Sequence, residues 1–258
     1  MTRPLVSCIC PTYGRATLLG DALACFLAQT YTPRELIIIN DAPIAFRHIE
    51  AEAPAGTRIR IANAPDIYDS LGDKYRALVA LAGGDIIAHW EDDDLYMPWH
   101  LAHLVPRVRG DIDCVKAQFA WCLKRLPDGR WGVEYNTNPY EASMVYRKAA
   151  LTGDTDYGDD SIEQSFHLLQ QFGKAGHLGD PQPPPMSYAF RLGASPLHGE
   201  WAANLEAWRA ANTDFSPVLT PGDVKPWYEL LYSAAPTVVP DHAARFRKMM
   251  EPHLSNGG

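Results

Sequence analysis

The chain reads as an α/β protein: a Rossmann-type mixed sheet, mostly parallel, flanked by helices and followed by a helical C-terminal appendage. Three observations predict this. From residue 5 to about residue 90, short apolar runs alternate with longer amphipathic ones, the pattern of βαβ units. Each apolar run ends in turn formers or acids. After about residue 98 the period changes and a hairpin pattern appears, so part of the sheet is expected to be antiparallel.

The first strand is expected over residues 5–10, broken by Pro11-Thr12-Tyr13-Gly14. A helix over about 15–29 follows, with Leu18, Leu19, Ala22, Leu23, Phe26 and Leu27 on its apolar side. The second strand, 35–39, stops at Asn40-Asp41-Ala42-Pro43, and a short third lies near 58–62. The helix over 70–81 ends at Gly83-Gly84, where glycine suits a left-handed C-cap. The fourth strand, 85–90, runs straight into Glu91-Asp92-Asp93-Asp94. Next come a helix over about 98–108, a hairpin pairing 114–124 with 131–135 across Pro127-Asp128-Gly129, a strand at 143–146 and a helix over about 161–172. Four prolines between 180 and 186 make a rigid connector, and beyond Ser195 Trp201, Leu205 and Trp208 recur at helical spacing. The expected organisation is a domain over 1–198, with halves 1–97 and 98–198, and a helical extension over 199–258.

Composition narrows the function. With 258 residues and 47% hydrophobic content, the chain has the makeup of a soluble globular protein that can bury a full core. A net charge of -8 repels polyanions, which argues against nucleic acid as a partner. If the ligand is nonetheless a small anion such as a nucleoside diphosphate, a divalent cation must neutralise it locally. The five cysteines are odd in number and lack a CxxC pair, which fits a reduced, cytoplasmic setting. No signal-like h-region or bilayer-length apolar run is present. Peripheral membrane docking and self-association are left open.

In an open parallel sheet, ligands bind beyond the carboxyl ends of the strands. Those ends carry Pro11-Thr12-Tyr13, Asp41 and the acid run at 91–94. A ring to stack a base, an acid to read its edge and acids to hold a metal would suit a nucleotide. Four adjacent carboxylates repel one another unless screened. In an extended segment Glu91 and Asp93 would share one face and Asp92 and Asp94 the other, one facing Mg²⁺ or Mn²⁺ on a diphosphate and one facing a ribose. The plainer alternative is a solvated acidic turn that caps the next helix.

The runs Val6-Ser7-Cys8-Ile9-Cys10-Pro11-Thr12-Tyr13, Ile37-Ile38-Ile39-Asn40-Asp41 and Trp90-Glu91-Asp92-Asp93-Asp94-Leu95-Tyr96-Met97-Pro98 together resemble the family-2 inverting glycosyltransferases of GT-A fold (the nucleotide-diphospho-sugar transferase type), the spore-coat glycosyltransferases above all. The resemblance spans roughly residues 5–200. It implies a metal-dependent transfer of a sugar from a UDP-, dTDP- or GDP-sugar to a carbohydrate or other hydroxyl acceptor. By it, Tyr13 would stack on the base, Asp41 accept from the base, Asp92 bind ribose and Asp93 ligate Mn²⁺ or Mg²⁺. Glu91 stands where many relatives carry the first aspartate of their metal motif. Pro11 and Arg15 flank Tyr13 on the nucleotide side, with the start of a helix as the other reading of Arg15. The stretch from Tyr188 through Arg191 to His198 resembles the segment that closes the catalytic domain of relatives, with His198 a candidate metal or phosphate ligand.

Inversion needs a carboxylate base. The candidates are Asp159 and Asp160. Ile162, Phe166 and Leu169 set the buried face of the helix that follows, and their register favours Asp159, leaving Asp160 as a helix-capping charge. Lys74 and Arg76 are candidates to approach the diphosphate, against a plain solvent-facing role. Trp121, Trp131, Tyr135 and Tyr140 could form a sugar platform, against core packing. Two other functions are consistent with the fold: a non-catalytic nucleotide-sugar-binding scaffold and a sugar nucleotidyltransferase. The latter normally needs a glycine-rich basic loop after strand one, whereas residues 11–15 hold a single glycine.

Overall fold

The computed structural model describes residues 3–125, 129–137, 141–153, 155–159, 164–180, 186–192 and 218–233. Six strands form the main sheet in the order β3-β2-β1-β4-β9-β6. These are β1 Val6–Thr12, β2 Arg34–Asn40, β3 Thr57–Asn63, β4 Ile86–His89, β6 Cys114–Val115 and β9 Val145–Arg147. The first four in that order are parallel, and β9 runs antiparallel to both β4 and β6. A second sheet, β5-β10-β7-β8, is built from β5 Leu95–Tyr96, β7 Phe119–Arg125, β8 Trp131–Thr137 and β10 Tyr188–Leu192. The helices are α1 Ala16–Leu27, α2 Leu71–Leu81, α3 His100–Leu104, α4 Gln164–Lys174 and α5 Lys225–Ser233. None of the described helices is long and apolar enough to cross a membrane.

The period of two along each central strand sorts the core into two layers. Val6, Cys8 and Cys10 of β1, Leu36 and Ile38 of β2, and Ile86 and Ala88 of β4 pack with Leu19, Ala22, Leu23 and Phe26 of α1. The intervening Ile9, Ile37, Ile39 and Ile87 pack on the opposite side with Tyr75 and Leu78 of α2 and Leu168 and Phe172 of α4. Covering both faces is what makes these strands continuously apolar. All five cysteines are buried and none is in a disulfide; Cys8, Cys10, Cys25 and Cys114 lie within these layers and Cys122 in the second sheet.

Three expectations about the elements need correction. Pro11 does not break β1, which continues through it to Thr12. The carbonyl of Ile9 accepts from Trp90 N on the β4 side, and Pro11 points its backbone to that same side. Because β4 has ended at His89, opposite Ile9, the missing N–H of Pro11 costs no ladder bond. The run from 114 to 124 is likewise not one strand. Cys114–Val115 completes the main sheet, and Phe119–Arg125 pairs with Trp131–Thr137 in the second. The helix expected over 98–108 is also split, into α3 and a 3₁₀ turn at Val105–Arg107, where Pro106 cannot donate to an α-helical ladder.

The C-terminal segment packs on this body. Leu219 bridges to Ile49, Tyr228 donates to the carbonyl of Tyr96, and the Trp227 ring meets Trp131 edge-on at 5.3 Å.

Candidate functional site

The carboxyl ends of β1, β2 and β4 lie side by side, with Thr12 opposite Asn40 and Ile9 opposite His89. Onto that edge α2 brings Lys74 and the β1–α1 turn brings Arg15. Gly14 makes the turn possible, since its φ of 72° is one that a side chain disfavours. Its N–H donates to Asn40 Oδ1 at 2.9 Å, which ties the turn to the end of β2.

The acid run is a turn rather than an extended segment. Burial nonetheless alternates as expected: Asp92 and Asp94 are buried, Glu91 and Asp93 half-buried. The turn changes which acids act together. Arg15 reaches both Asp92 and Asp93, through Nε to Asp92 Oδ2 at 2.9 Å, Nη1 to Asp93 Oδ2 at 2.9 Å and Nη2 to Asp92 Oδ1. Thr12 Oγ1 donates to Asp92 Oδ2 at 2.5 Å. Asp94 accepts from Tyr188 OH at 2.5 Å and from Arg191 N at 3.1 Å. Glu91 accepts from the Tyr75 hydroxyl.

Burial raises the pKa of Glu91, and also that of Asp92 despite Arg15 beside it. Burial, reinforced by the charge of Asp93, pushes Asp94 up to about 8. The pKa of Arg15 is raised as well: burial alone would lower it, but the charges of Asp92 and Asp93 outweigh burial and hold the guanidinium charged. The turn is therefore a crowded set of four acids beside two guanidinium groups, Arg15 on the Asp92 and Asp93 carboxylates and Arg191 on the Asp93 carbonyl, a place that favours added positive charge.

Asp41 and Lys74, both nucleotide candidates, are bonded to each other. Lys74 Nζ donates to Asp41 Oδ1 at 2.5 Å and to the Thr12 carbonyl at 2.6 Å. Asp41 Oδ2 accepts from Tyr68 N at 3.2 Å. Asp41 makes no Asx turn; Asn40 makes the local turn bond, to Ala42 N at 3.4 Å. Burial lowers the pKa of Lys74 while Asp41 opposes that shift. Tyr13 follows the end of β1 and is half-buried; Pro11 is buried inside the strand.

Arg76 turns its guanidinium to acids of its own helix and of the 156–159 segment. It is engaged by Asp73, Asp156, Asp159 and the carbonyl of Tyr157. Asp159 precedes α4 by several residues and its side chain is 89% exposed. Asp160 and His198 lie outside the described residues. Of the aromatic candidates, Trp121 is fully buried and Tyr135 stacks on Phe119 at 5.2 Å, which is core packing; Tyr140 lies outside the described residues.

Sequence reasoning missed Tyr75 altogether, and it marked Thr12 and the Tyr188–Arg191 stretch without pairing them with the acids they support. Arg191 donates from Nη1 to Asp21 at 2.7 Å and from Nε to the Asp93 carbonyl, and lies 5.4 Å from the Trp227 ring centre. These partners are separated by 16 to 170 residues, so no local spacing could have paired them. A groove of about 430 Å³ between Leu5, Arg34 and Thr57 lies at the amino ends of the strands, the wrong edge for a ligand of this fold.

Residues 7–158 match the sequence description of glycosyl transferase family 2, well over half of the chain. The chain belongs to glycosyl transferase family 2. Among solved structures it resembles S. aureus TarS 1-349 in complex with UDP-GlcNAc, with TM-score 0.56 and 12% identity over 98% of this chain and 74% of that one. S. aureus TarS 1-349 alone gives TM-score 0.53 and 12% identity over 93% and 68%. The mannosyltransferase PcManGT from Pyrobaculum calidifontis in complex with GDP-Man and Mn²⁺ gives TM-score 0.53 and 15% identity over 99% and 72%. No curated protein sequence matches the chain. At these identities the likeness is one of fold, and the fold is GT-A.

The donor set of this family 2 chain suits a hard divalent ion. Among the described residues no group of three ligating side chains converges. The hydrogen bonds do leave Asp93 Oδ1 and Glu91 Oε2 open on half-buried side chains beside the strand ends. Mg²⁺ and Mn²⁺ take oxygen ligands and keep several for water and phosphate, so one or two protein carboxylates suffice.

Proposed function

We propose that this chain transfers a sugar from a nucleotide-diphosphate sugar to an acceptor hydroxyl with inversion, using a divalent metal. The observation that carries the reading is the convergence of Thr12, Asp41, Lys74, Arg15, Asp92 and Asp93 on one edge of the sheet, at the switch from β1 to β4. The resembling structures hold UDP-GlcNAc and GDP-mannose, which makes UDP- and GDP-sugars the first donors to try.

Asp93, with Glu91 beside it, would hold Mn²⁺ or Mg²⁺, which supplies a Lewis acid for the charge that collects on the departing diphosphate. Tyr13 lies against the base and Asp41 reads its edge, with Lys74 fixing the Asp41 carboxylate. Asp92 accepts from the ribose; Thr12 and Arg15 hold its carboxylate in place. Asp159 takes the proton of the acceptor hydroxyl as that oxygen bonds to the anomeric carbon. The bond from the anomeric carbon to the phosphate oxygen breaks on the opposite face, and its electron pair leaves with the nucleoside diphosphate. His198 and Asp160 are assigned supporting places, at the metal or phosphate and at the helix start.

Calorimetry with UDP and GDP, with and without Mn²⁺, tests the nucleotide site; release of UDP or GDP from the two donors tests turnover. Asp93→Asn should abolish the metal-dependent part of binding, and Asp159→Asn should lower turnover about 10²–10⁴-fold to a measurable residue while leaving binding intact. Binding without turnover in the unsubstituted protein would assign a nucleotide-sugar-binding scaffold instead.

A further inference from the structure

Three consecutive residues of α2 reach three different parts of the proposed site. Lys74 holds Asp41, Tyr75 holds Glu91, and Arg76 holds the segment that ends at Asp159. Successive helix residues diverge by about 100°, so one rigid helix can present three directions at once.

Arg76 makes the third connection with its whole fork. Nε donates to Asp156 Oδ2 at 2.7 Å, Nη2 to the Tyr157 carbonyl at 2.5 Å and to Asp159 Oδ1 at 2.6 Å, and Nη1 returns to Asp73 Oδ1 at 2.8 Å on its own helix. A second contact, independent of charge, docks the same segment. A Cβ placed on Gly72 would lie 1.8 Å from the carbonyl oxygen of Gly158, so the segment rests on the bare backbone of the first turn of α2. The Tyr157 ring is buried just upstream, stacked on Tyr75 at 4.8 Å, with its hydroxyl 2.8 Å from His89 Nε2 and 2.6 Å from Tyr146 OH. Tyr157 thus anchors the segment, whereas the position of Asp159, two residues on and 89% exposed, depends on Arg76 and Gly72.

We propose that Arg76 and Gly72 are positioning residues that seat Asp159 on α2, in register with the nucleotide and metal acids held by Lys74 and Tyr75. The proposal rests on the reading of Asp159 as the acceptor base. Exposed ion pairs add little to stability, so Arg76→Gln is expected to fold; the loss falls on geometry, to which general-base chemistry is sensitive.

Two measurements test it. In amide hydrogen exchange, Arg76→Gln and Gly72→Ala should speed exchange of residues 155–159 at least tenfold, with residues 91–97 unchanged; unaltered exchange at 155–159 overturns the proposal. In turnover of UDP-GlcNAc or GDP-mannose with Mn²⁺, both variants should lose on the order of 10²-fold in kcat with donor KM within about twofold. Arg76→Lys keeps the charge but not the fork and should resemble Arg76→Gln. In an Asp159→Asn background Arg76→Gln should cost nothing more, since the two act as a unit. A full additional loss there overturns positioning through Asp159. Asp159→Asn with undiminished turnover removes the base reading itself, and the functional part of this proposal with it, whatever the exchange data show.

Discussion

Breaking the Lys74–Asp41 pair should cost the fold more than an ordinary charge substitution, because neither partner has access to water. Both residues are about 5–6% exposed, and Lys74 Nζ also satisfies the Thr12 carbonyl. Lys74→Met removes the cation and leaves the Asp41 carboxylate with only the Tyr68 N–H as a described partner. An uncompensated buried charge of this kind costs about 3–5 kcal/mol. In a chain of this size that corresponds to a fall of roughly 6–20 °C in Tm. Asp41→Asn strands the ammonium but keeps an amide oxygen to accept from it, so its cost should be smaller, about 1–3 kcal/mol. The double variant carries neither charge and should be less destabilised than the sum by about 2 kcal/mol or more. Urea unfolding of the four proteins at pH 7 measures the cycle. Additivity within about 0.5 kcal/mol, or a Lys74→Met penalty below about 1 kcal/mol, would refute the claim that the pair is desolvated and coupled.

Further predictions concern the supports of the site. Arg34 is buried and caps the end of α1 by donating to the carbonyls of Phe26, Leu27 and Tyr31 at 3.3, 3.0 and 2.6 Å; the Phe26 carbonyl also accepts from Gln29 N, so Arg34→Met should cost about 2–4 kcal/mol in urea unfolding chiefly through the Leu27 and Tyr31 carbonyls that lose their described donor. His100, bonded to Ser187 Oγ at 3.0 Å, is pushed down to about 3 by burial, with His103 adding to the shift. Its folded form stays neutral while the unfolded chain takes a proton below about 6.5, so its contribution is full above that pH and is lost as pH falls toward about 3. His100→Phe should therefore flatten the acid limb of the stability curve by roughly 1.4 kcal/mol per pH unit between those values; a parallel curve would show that the ring titrates normally. A Cβ on Gly84 would lie 2.5 Å from the carbonyl of Leu5, just before β1, and 2.8 Å from Oγ of the buried Ser7. Gly84→Ala should lower Tm through about 1–3 kcal/mol of overpacking, with nucleotide binding at the far end of the sheet unchanged.

The layered α/β architecture and the edge where a ligand belongs are both legible along the chain. Both rest on local signals: strands at β1, β2 and β4 are apolar through several residues, turn formers follow them, and Asp41 and the 91–94 acids stand directly after the strands. A parallel sheet then forces those ends together, so Thr12, Asp41 and Asp92 were neighbours in principle once the strand order was known. Which side chain each acid meets is settled by packing between distant segments. The register of α2 turns Lys74, Tyr75 and Arg76 onto Asp41, Glu91 and Asp159, and the turn at 91–94 puts Asp92 and Asp93 on the one guanidinium of Arg15. Pro11 stays within β1 because β4 has already ended beside it, and Arg191 reaches Asp21 across 170 positions. Charge and hydrogen-bonding capacity are written residue by residue, but the partner is chosen by packing, and packing joins segments that share no local pattern.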